Sequence, residues 1–201
     1  MIARENPFTA TRMHSVRYKF SDGDSLRRLR LRLEASGGRG MIVGPEGSGK
    51  STLLDELCRN FAASGKTVFS LRAQRLNSIG SLRHLLSQLR QASSVECVFI
   101  DSSERLNRII WSYVRWRLRK CKIIAGAAHS PGRLPTLYFT TTSSSLLSSI
   151  VKELLPRGAE APKEISALFE EHGGNVRTAL RELYDYYSSA DASLELPQTV
   201  R

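Results

Sequence analysis

The sequence predicts an α/β fold in which a parallel β-sheet is covered on both faces by helices. Short apolar runs alternate along the chain with longer segments whose apolar residues recur at helical spacing. Such alternation is typical of parallel sheets, because each crossover between parallel strands needs a long connection, usually a helix. From Ser143 onward only helical patterns recur, which adds a small C-terminal helical subdomain to the prediction.

Element boundaries follow from the apolar runs and from the residues that end them. The predicted strands cover 39–43, 67–71, 97–100, 123–128 and 137–141. The predicted helices cover 26–35, 51–63, 78–91, 105–120, 146–155, 163–171 and 176–187. Asn6 to Ser21 is predicted to be an irregular arm, in which alternation at Val16, Tyr18 and Phe20 indicates a short edge strand or an extended segment.

Composition excludes some classes of protein. The 201 residues suit one domain with a small appendage, and no apolar run is long enough to cross a bilayer. No secretory signal is recognisable, so we expect a cytoplasmic protein with three reduced cysteines and no zinc site. The net charge is +11, and residues 72–122 hold eleven basic side chains against three acidic ones. This basic region indicates an anionic partner, nucleic acid or acidic protein, although a solvated arginine-rich face also explains it.

A glycine-rich loop separates the first predicted strand from the helix after it. It matches the phosphate-binding pattern G-x-x-x-x-G-K-[ST] at every fixed position, with the residues Gly44, Pro45, Glu46, Gly47, Ser48, Gly49, Lys50, Ser51 and Thr52. The glycines let backbone N–H groups form a nest for phosphate oxygens, next to the positive end of the helix dipole. A glycine-rich turn that binds nothing is the alternative, but strand and helix stand where the motif needs them. We therefore predict nucleotide binding.

Individual residues have predicted roles in this site. Lys50 is expected to contact the β- and γ-phosphates of ATP, and the Ser51 hydroxyl to bind Mg²⁺. Asp101 follows the apolar run 97–100, where a carboxylate would orient the same ion. Asp101 and Glu104 also have the spacing of a helix-capping pair, and both roles are open for Asp101. Glu104 is either a general base or a capping residue, because Ser102 occupies the position directly after Asp101 where such a base usually stands.

Two further features are candidates for contacts with phosphate. His129 follows the fourth predicted strand, where it or Ser130 could sense the γ-phosphate, and a histidine in a turn is also an ordinary surface residue. The predicted helix 105–120 carries a basic stripe on one face, formed by Arg108, Arg115 and Arg119. The stripe could follow a nucleic-acid backbone, but arginines on the solvated face of an amphipathic helix are common.

The C-terminal helices contain the run Gly173, Gly174, Asn175, Val176 and Arg177. Glycine, then asparagine, then an arginine two residues later resembles the start of the lid helix in AAA+ ATPases. The resemblance implies that Arg177 reaches the γ-phosphate of bound ATP. A glycine C-cap followed by an asparagine N-cap is the alternative, and it does not explain the arginine. From Asn6 to Tyr187 the chain resembles small bacterial AAA+ ATPases related to secretion and transposition ATPases, which also begin with an Asn-Pro-Phe-like arm.

These features divide the chain into an N-terminal arm and helix (1–36), a phosphate-loop NTPase core (37–143), a helical lid (144–189) and a flexible tail (190–201). We expect a slow, Mg²⁺-dependent ATPase that acts as a nucleotide-controlled switch on a protein or nucleic-acid partner, with oligomerisation left open. A nucleotide-binding regulator with little hydrolysis and a small-molecule kinase are the alternatives. Slow turnover is expected because Ser102 stands where the resembling ATPases have glutamate, and no arginine finger is recognisable.

Overall fold

A computed structural model of the chain describes residues 6–20, 23–156 and 164–189. They form two compact units. Unit 1 consists of the described residues of Met1–Arg17, Glu46–Ser48 and Thr142–Arg201. Unit 2 consists of the described residues of Tyr18–Pro45 and Gly49–Thr141. The predicted tail 190–201 and the first residue of the predicted helix 163–171 lie outside the described residues.

Unit 2 is built on a five-stranded sheet. Its strands are β1 (Arg39–Val43), β2 (Val68–Arg72), β3 (Cys97–Asp101), β4 (Ile123–Ala128) and β5 (Thr136–Phe139). Their spatial order is β2-β3-β4-β1-β5, and every pairing between neighbours is parallel. The α/β fold class with a parallel sheet is therefore confirmed.

Helices cover both faces of this sheet. The helices of the described chain are α1 (Ala10–Ser15), α2 (Leu26–Ala35), α3 (Lys50–Ala63), α4 (Ile79–Ala92), α5 (Arg108–Arg117), α6 (Ser144–Leu154), α7 (Ile165–Glu171) and α8 (Val176–Ser189). Successive residues of a strand point to opposite faces. Ile42 therefore packs in the cluster that holds α2 and α3, whereas Met41 and Val43 pack in the cluster that holds α4 and α5. None of the helices in the described ranges has the length and apolar character needed to cross a bilayer.

The helix predicted over 105–120 is shorter in the structure. Ser103–Arg105 forms a separate 3₁₀ turn, and α5 begins only at Arg108 and ends at Arg117. The cause is the Asn107 side chain, whose oxygen accepts a hydrogen bond from the Ile110 N–H at 2.9 Å. Such a cap satisfies one of the free N–H groups of the first helical turn, so the helix starts there although the apolar periodicity begins upstream.

Unit 1 combines the amino-terminal segment with the C-terminal helices. Phe8 and Val16 share one apolar cluster with residues of α6, α7 and α8. Buried Asn6 anchors the segment, because its Nδ2 donates to the Tyr184 carbonyl and to Ser188 Oγ, both at 2.9 Å. The irregular arm predicted from Asn6 is wrong over Ala10–Ser15, which is helical. Of the two alternatives for 16–20, no edge strand forms, and the segment is irregular as the other alternative allows. Helix α1 has no buried residue and hence no apolar stripe from which to predict it.

Candidate functional site

The phosphate-binding pattern forms the connection between β1 and α3. Its backbone takes left-handed conformations at Gly47 (φ +75°) and Gly49 (φ +81°), and Gly49 is the N-cap of α3. Helix α3 therefore begins at Lys50, and the free N–H groups of its first turn face the loop. Lys50 Nζ donates a hydrogen bond to the Pro45 carbonyl at 2.5 Å. This backbone form suits a phosphate group.

Asp101 lies next to Ser51, and these are the two residues predicted to bind Mg²⁺. Asp101 ends β3 and is only 8% exposed, and Ser51 Oγ donates a hydrogen bond to Asp101 Oδ1 at 3.0 Å. Arg72 Nε lies 3.3 Å from the other carboxylate oxygen. One carboxylate and one hydroxyl, completed by water and phosphate oxygens, form a ligand set that Mg²⁺ uses in nucleotide sites. The donor atoms present therefore fit a magnesium ion.

The chain after Asp101 turns sharply and does not enter a helix. Ser102 has φ +56°, and within the described ranges no other non-glycine residue has a positive φ. The 3₁₀ turn that follows has no side-chain cap, and α5 is capped by Asn107, so the capping alternative for Asp101 and Glu104 is wrong. A left-handed serine costs about 1–2 kcal/mol, and such strain persists only where surrounding contacts hold it. Ser103 supplies one of these contacts, because its buried Oγ donates to the Ala127 carbonyl at 3.1 Å.

This turn places Glu104 beside His129. His129 Nε2 lies 3.3 Å from Glu104 Oε1, and both side chains are partly exposed. The second carboxylate oxygen, Glu104 Oε2, is buried and has no hydrogen-bond partner among the described residues. A buried carboxylate oxygen is costly unless a ligand or water donates to it. Two candidate residues that the sequence singles out separately thus form one pair at the carboxyl ends of the neighbouring strands β3 and β4.

An aromatic cluster lies beside the start of α3. Tyr18 packs against Gly49, where an added Cβ would stand 3.1 Å from the Tyr18 ring. Its backbone N–H donates to Glu56 Oε1 at 2.6 Å, and its ring packs edge to face against Phe20 and Tyr138. Burial raises the pKa of the Tyr18 hydroxyl well above its ordinary value. The sequence pattern indicates an extended segment here but gives no sign of its contact with Gly49.

Unit 1 holds Arg177 at the start of α8. Arg177 is exposed, and its backbone N–H donates to Asn175 Oδ1 at 3.1 Å. Asn175 also accepts from the Thr178 N–H at 3.3 Å and so caps the helix. The same oxygen lies against Gly47 within unit 1, because a Cβ added to Gly47 would stand 2.0 Å from it. The contact of Arg177 with a nucleotide stays a prediction.

Comparison with known proteins finds similarity in structure alone. No protein-family model matches the chain, and no curated protein is significantly similar in sequence. A crystal structure of a DNA replication initiation factor is similar with a TM-score of 0.57 and 18% identity, over 78% of this chain and 58% of that one. Replication initiator DnaA bound to AMPPCP and single-stranded DNA is similar with a TM-score of 0.56 and 17% identity, over 82% of this chain and 61% of that one. AMPPCP-bound DnaA from Aquifex aeolicus is similar with a TM-score of 0.55 and 18% identity, over 81% of this chain and 61% of that one.

The chain spans about three fifths of the length of these solved structures. At such low identities the similarity concerns the fold and not the activity. The match extends over about four fifths of this chain. The chain therefore has the fold of a phosphate-loop NTPase, a parallel sheet flanked by helices, and shares it with these solved structures.

Proposed function

We propose that the chain binds ATP with Mg²⁺, hydrolyses it slowly and acts as a nucleotide-controlled switch. The observation that carries the proposal is the contact between Ser51, near the end of the phosphate-binding pattern, and Asp101. The Ser51 hydroxyl lies 3.0 Å from the buried Asp101 carboxylate. Backbone N–H groups of the loop would bind the phosphates, and Lys50 would add a positive charge at the β- and γ-phosphates. Bound Mg²⁺ would neutralise charge on the same oxygens.

Glu104 is the candidate base in this proposal. It stands two positions later along the chain than the usual glutamate, but the turn at Ser102 and Ser103 returns it to the end of β3, beside His129. The unpartnered Glu104 Oε2 would accept a proton from an attacking water.

The proposed switch is the start of α8. Asn175 packs against Gly47 of the phosphate loop, and Arg177 follows two residues later on an exposed position. This contact supports the proposal that Arg177 binds the γ-phosphate of ATP. Hydrolysis would remove that phosphate and so release helix α8. The motion of α8 would then report the nucleotide state to a partner.

Nucleic acid is the partner class that we propose. Residues 72–122 carry eleven basic and three acidic side chains, so an anionic partner is favoured. The similarly folded DnaA structure bound to single-stranded DNA is consistent with this class. An acidic protein is the second candidate, because the same excess of charge would attract it.

Calorimetric titration with ATP and Mg²⁺ tests the nucleotide site. Lys50→Ala should lower ATP affinity more than about tenfold, because charge-assisted contacts to phosphate are lost while no core packing changes. Lys66→Ala is the matched control, since Lys66 pairs with Glu96 at 3.2 Å and lies outside the loop. Unchanged ATP affinity in folded Lys50→Ala protein would overturn the proposed site.

A further inference from the structure

A basic groove of about 840 Å³ opens in unit 2. Four arginines from three parts of the chain line it, namely Arg39, Arg115, Arg119 and Arg133. Arg39 begins β1 and Pro135 directly precedes β5, so this part of the groove lies at the amino-terminal ends of the strands. The Arg133 guanidinium extends from there to the Leu106 carbonyl and the Trp111 ring. Asp101 stands at the carboxyl end of β3, and a five-residue strand is about 15 Å long. The basic groove is therefore separate from the candidate magnesium site.

The basic groove keeps most of its positive charge, although the Glu104 carboxylate attracts Arg133 electrostatically. No carboxylate lines the groove, and the sequence has no Asp or Glu between Glu104 and Glu153. None of the four arginines takes part in an ion pair with the described residues. Arg39 is instead fixed by backbone carbonyls, because its guanidinium donates to Lys122 and Cys121, both at 2.8 Å. A cluster of cations with no carboxylate in ion-pair contact is a ready site for an anion.

Aromatic side chains stand beside these arginines on α5. Trp116 lines the basic groove and is 56% exposed, and Tyr113 on the preceding turn is 39% exposed. Their ring centroids are 5.8 Å apart, and the Arg119 guanidinium lies 4.9 Å from the centre of the Trp116 ring. The opposite side of the helix supplies the core residues Trp111 and Val114. Core packing of α5 therefore does not require the Trp116 ring to be exposed among the arginines.

We propose that the basic groove binds single-stranded nucleic acid, with phosphates on the arginines and a base stacked on Trp116. Arginines follow a phosphate backbone, and an exposed aromatic ring stacks on the free face of a base. A duplex hides these faces within its own stack, and an acidic protein needs the cations but not the ring. The inference deepens the proposed function, because it names the form of the nucleic-acid partner and the surface that binds it.

Fluorescence polarisation with labelled oligothymidine tests the basic groove directly. An oligomer of about 20 nucleotides exceeds the roughly 4–16 nucleotides of an ordinary single-strand site. Trp116→Ala should weaken binding at least about fivefold with little change of salt dependence, and Trp116→Phe should restore much of the affinity, because stacking is lost and regained. Arg115→Gln with Arg119→Gln should flatten the salt dependence by about 0.7 log units per lost phosphate contact.

The matched control removes the same charge from another helix of unit 2. Arg27 and Arg28 are exposed residues of α2 outside the basic region 72–122, and replacing both with glutamine should leave the salt slope unchanged. The inference would be overturned if Trp116→Ala bound oligothymidine with wild-type affinity or if a duplex bound more tightly than the single strand. An equal loss of affinity in the control variant would also overturn it. If polyglutamate competes for the groove, and this competition is lost in the arginine variants but unchanged in Trp116→Ala, the groove would instead be assigned to an acidic protein. ATP titration of the same variants separates these outcomes from failure of the nucleotide site.

Discussion

Gly47 of the phosphate loop is in contact with Asn175 within unit 1, and Gly47→Ala tests this contact directly. The added methyl group would stand 2.0 Å from Asn175 Oδ1 and 3.0 Å from the Val176 nitrogen. It would also sit on a residue with φ +75°, a conformation that side chains with a Cβ rarely adopt. Asn175 must move away, so the substitution removes a helix cap as well as straining the backbone.

The expected loss of unfolding free energy has two parts. A residue with a Cβ in the left-handed region costs about 1–2 kcal/mol. Loss of the asparagine cap on α8 costs about 1 kcal/mol more, so we expect a total of roughly 2–3 kcal/mol. Gly65→Ala is the matched control, because Gly65 has φ +80° but no described atom within 4 Å of an added Cβ. The control should lose the backbone part alone.

Urea denaturation of each variant, alone and with Asn175→Ala, completes a double-mutant cycle. Gly47→Ala should cost about 1 kcal/mol less when Asn175 is already alanine, because the cap can be lost only once. Gly65→Ala should cost the same in both backgrounds. Equal costs of Gly47→Ala in the two backgrounds would refute the contact between the loop and the cap.

Three further predictions concern the site and the core. Arg177→Ala should reduce ATP affinity and leave ADP affinity nearly unchanged, because only ATP has a γ-phosphate. Arg181→Ala, an exposed residue one turn later, is the control. Equal losses of ATP and ADP affinity in calorimetry would contradict a γ-phosphate contact. Asp101→Asn should weaken Mg²⁺-dependent ATP binding more than Glu104→Gln does, because it removes the carboxylate beside Ser51; paired titrations with and without a chelator check the order. Burial raises the pKa of the three cysteine thiols, so a thiol reagent at neutral pH should react slowly until the protein unfolds, and rapid native reaction would be unexpected.

Local sequence was sufficient wherever one contiguous pattern specifies one element. Strands β1 and β4 have the bounds that their apolar runs predict, because strands buried on both faces need apolar residues at consecutive positions. Helix α2 also has its predicted bounds, and the Ser25 side chain caps it by accepting from the Arg28 N–H. The glycine-rich connection was visible for the same reason, because consecutive residues build it.

Pairs of residues that are distant along the chain were decided by the tertiary structure. Glu104 meets His129 because β3 and β4 are neighbours in the sheet, and the positive φ of Ser102 aims the turn toward that neighbour. Asn6 meets α8 through hydrogen bonds to Tyr184 and Ser188. Periodicity and propensity describe neighbours along the chain, so neither contact has a sequence signature.

The sequence and the tertiary structure each account for part of the basic groove. The helical repeat placed Arg108, Arg115 and Arg119 on one face, but only the last two line the basic groove. Arg39 completes it from the start of β1 and Arg133 from the connection between β4 and β5, because parallel strands bring their amino-terminal ends to one edge of the sheet. The sequence by itself determined the fold class and the phosphate-binding pattern, which are local in the chain. Only the tertiary structure decided which distant charges face one another, because strand order sets those distances.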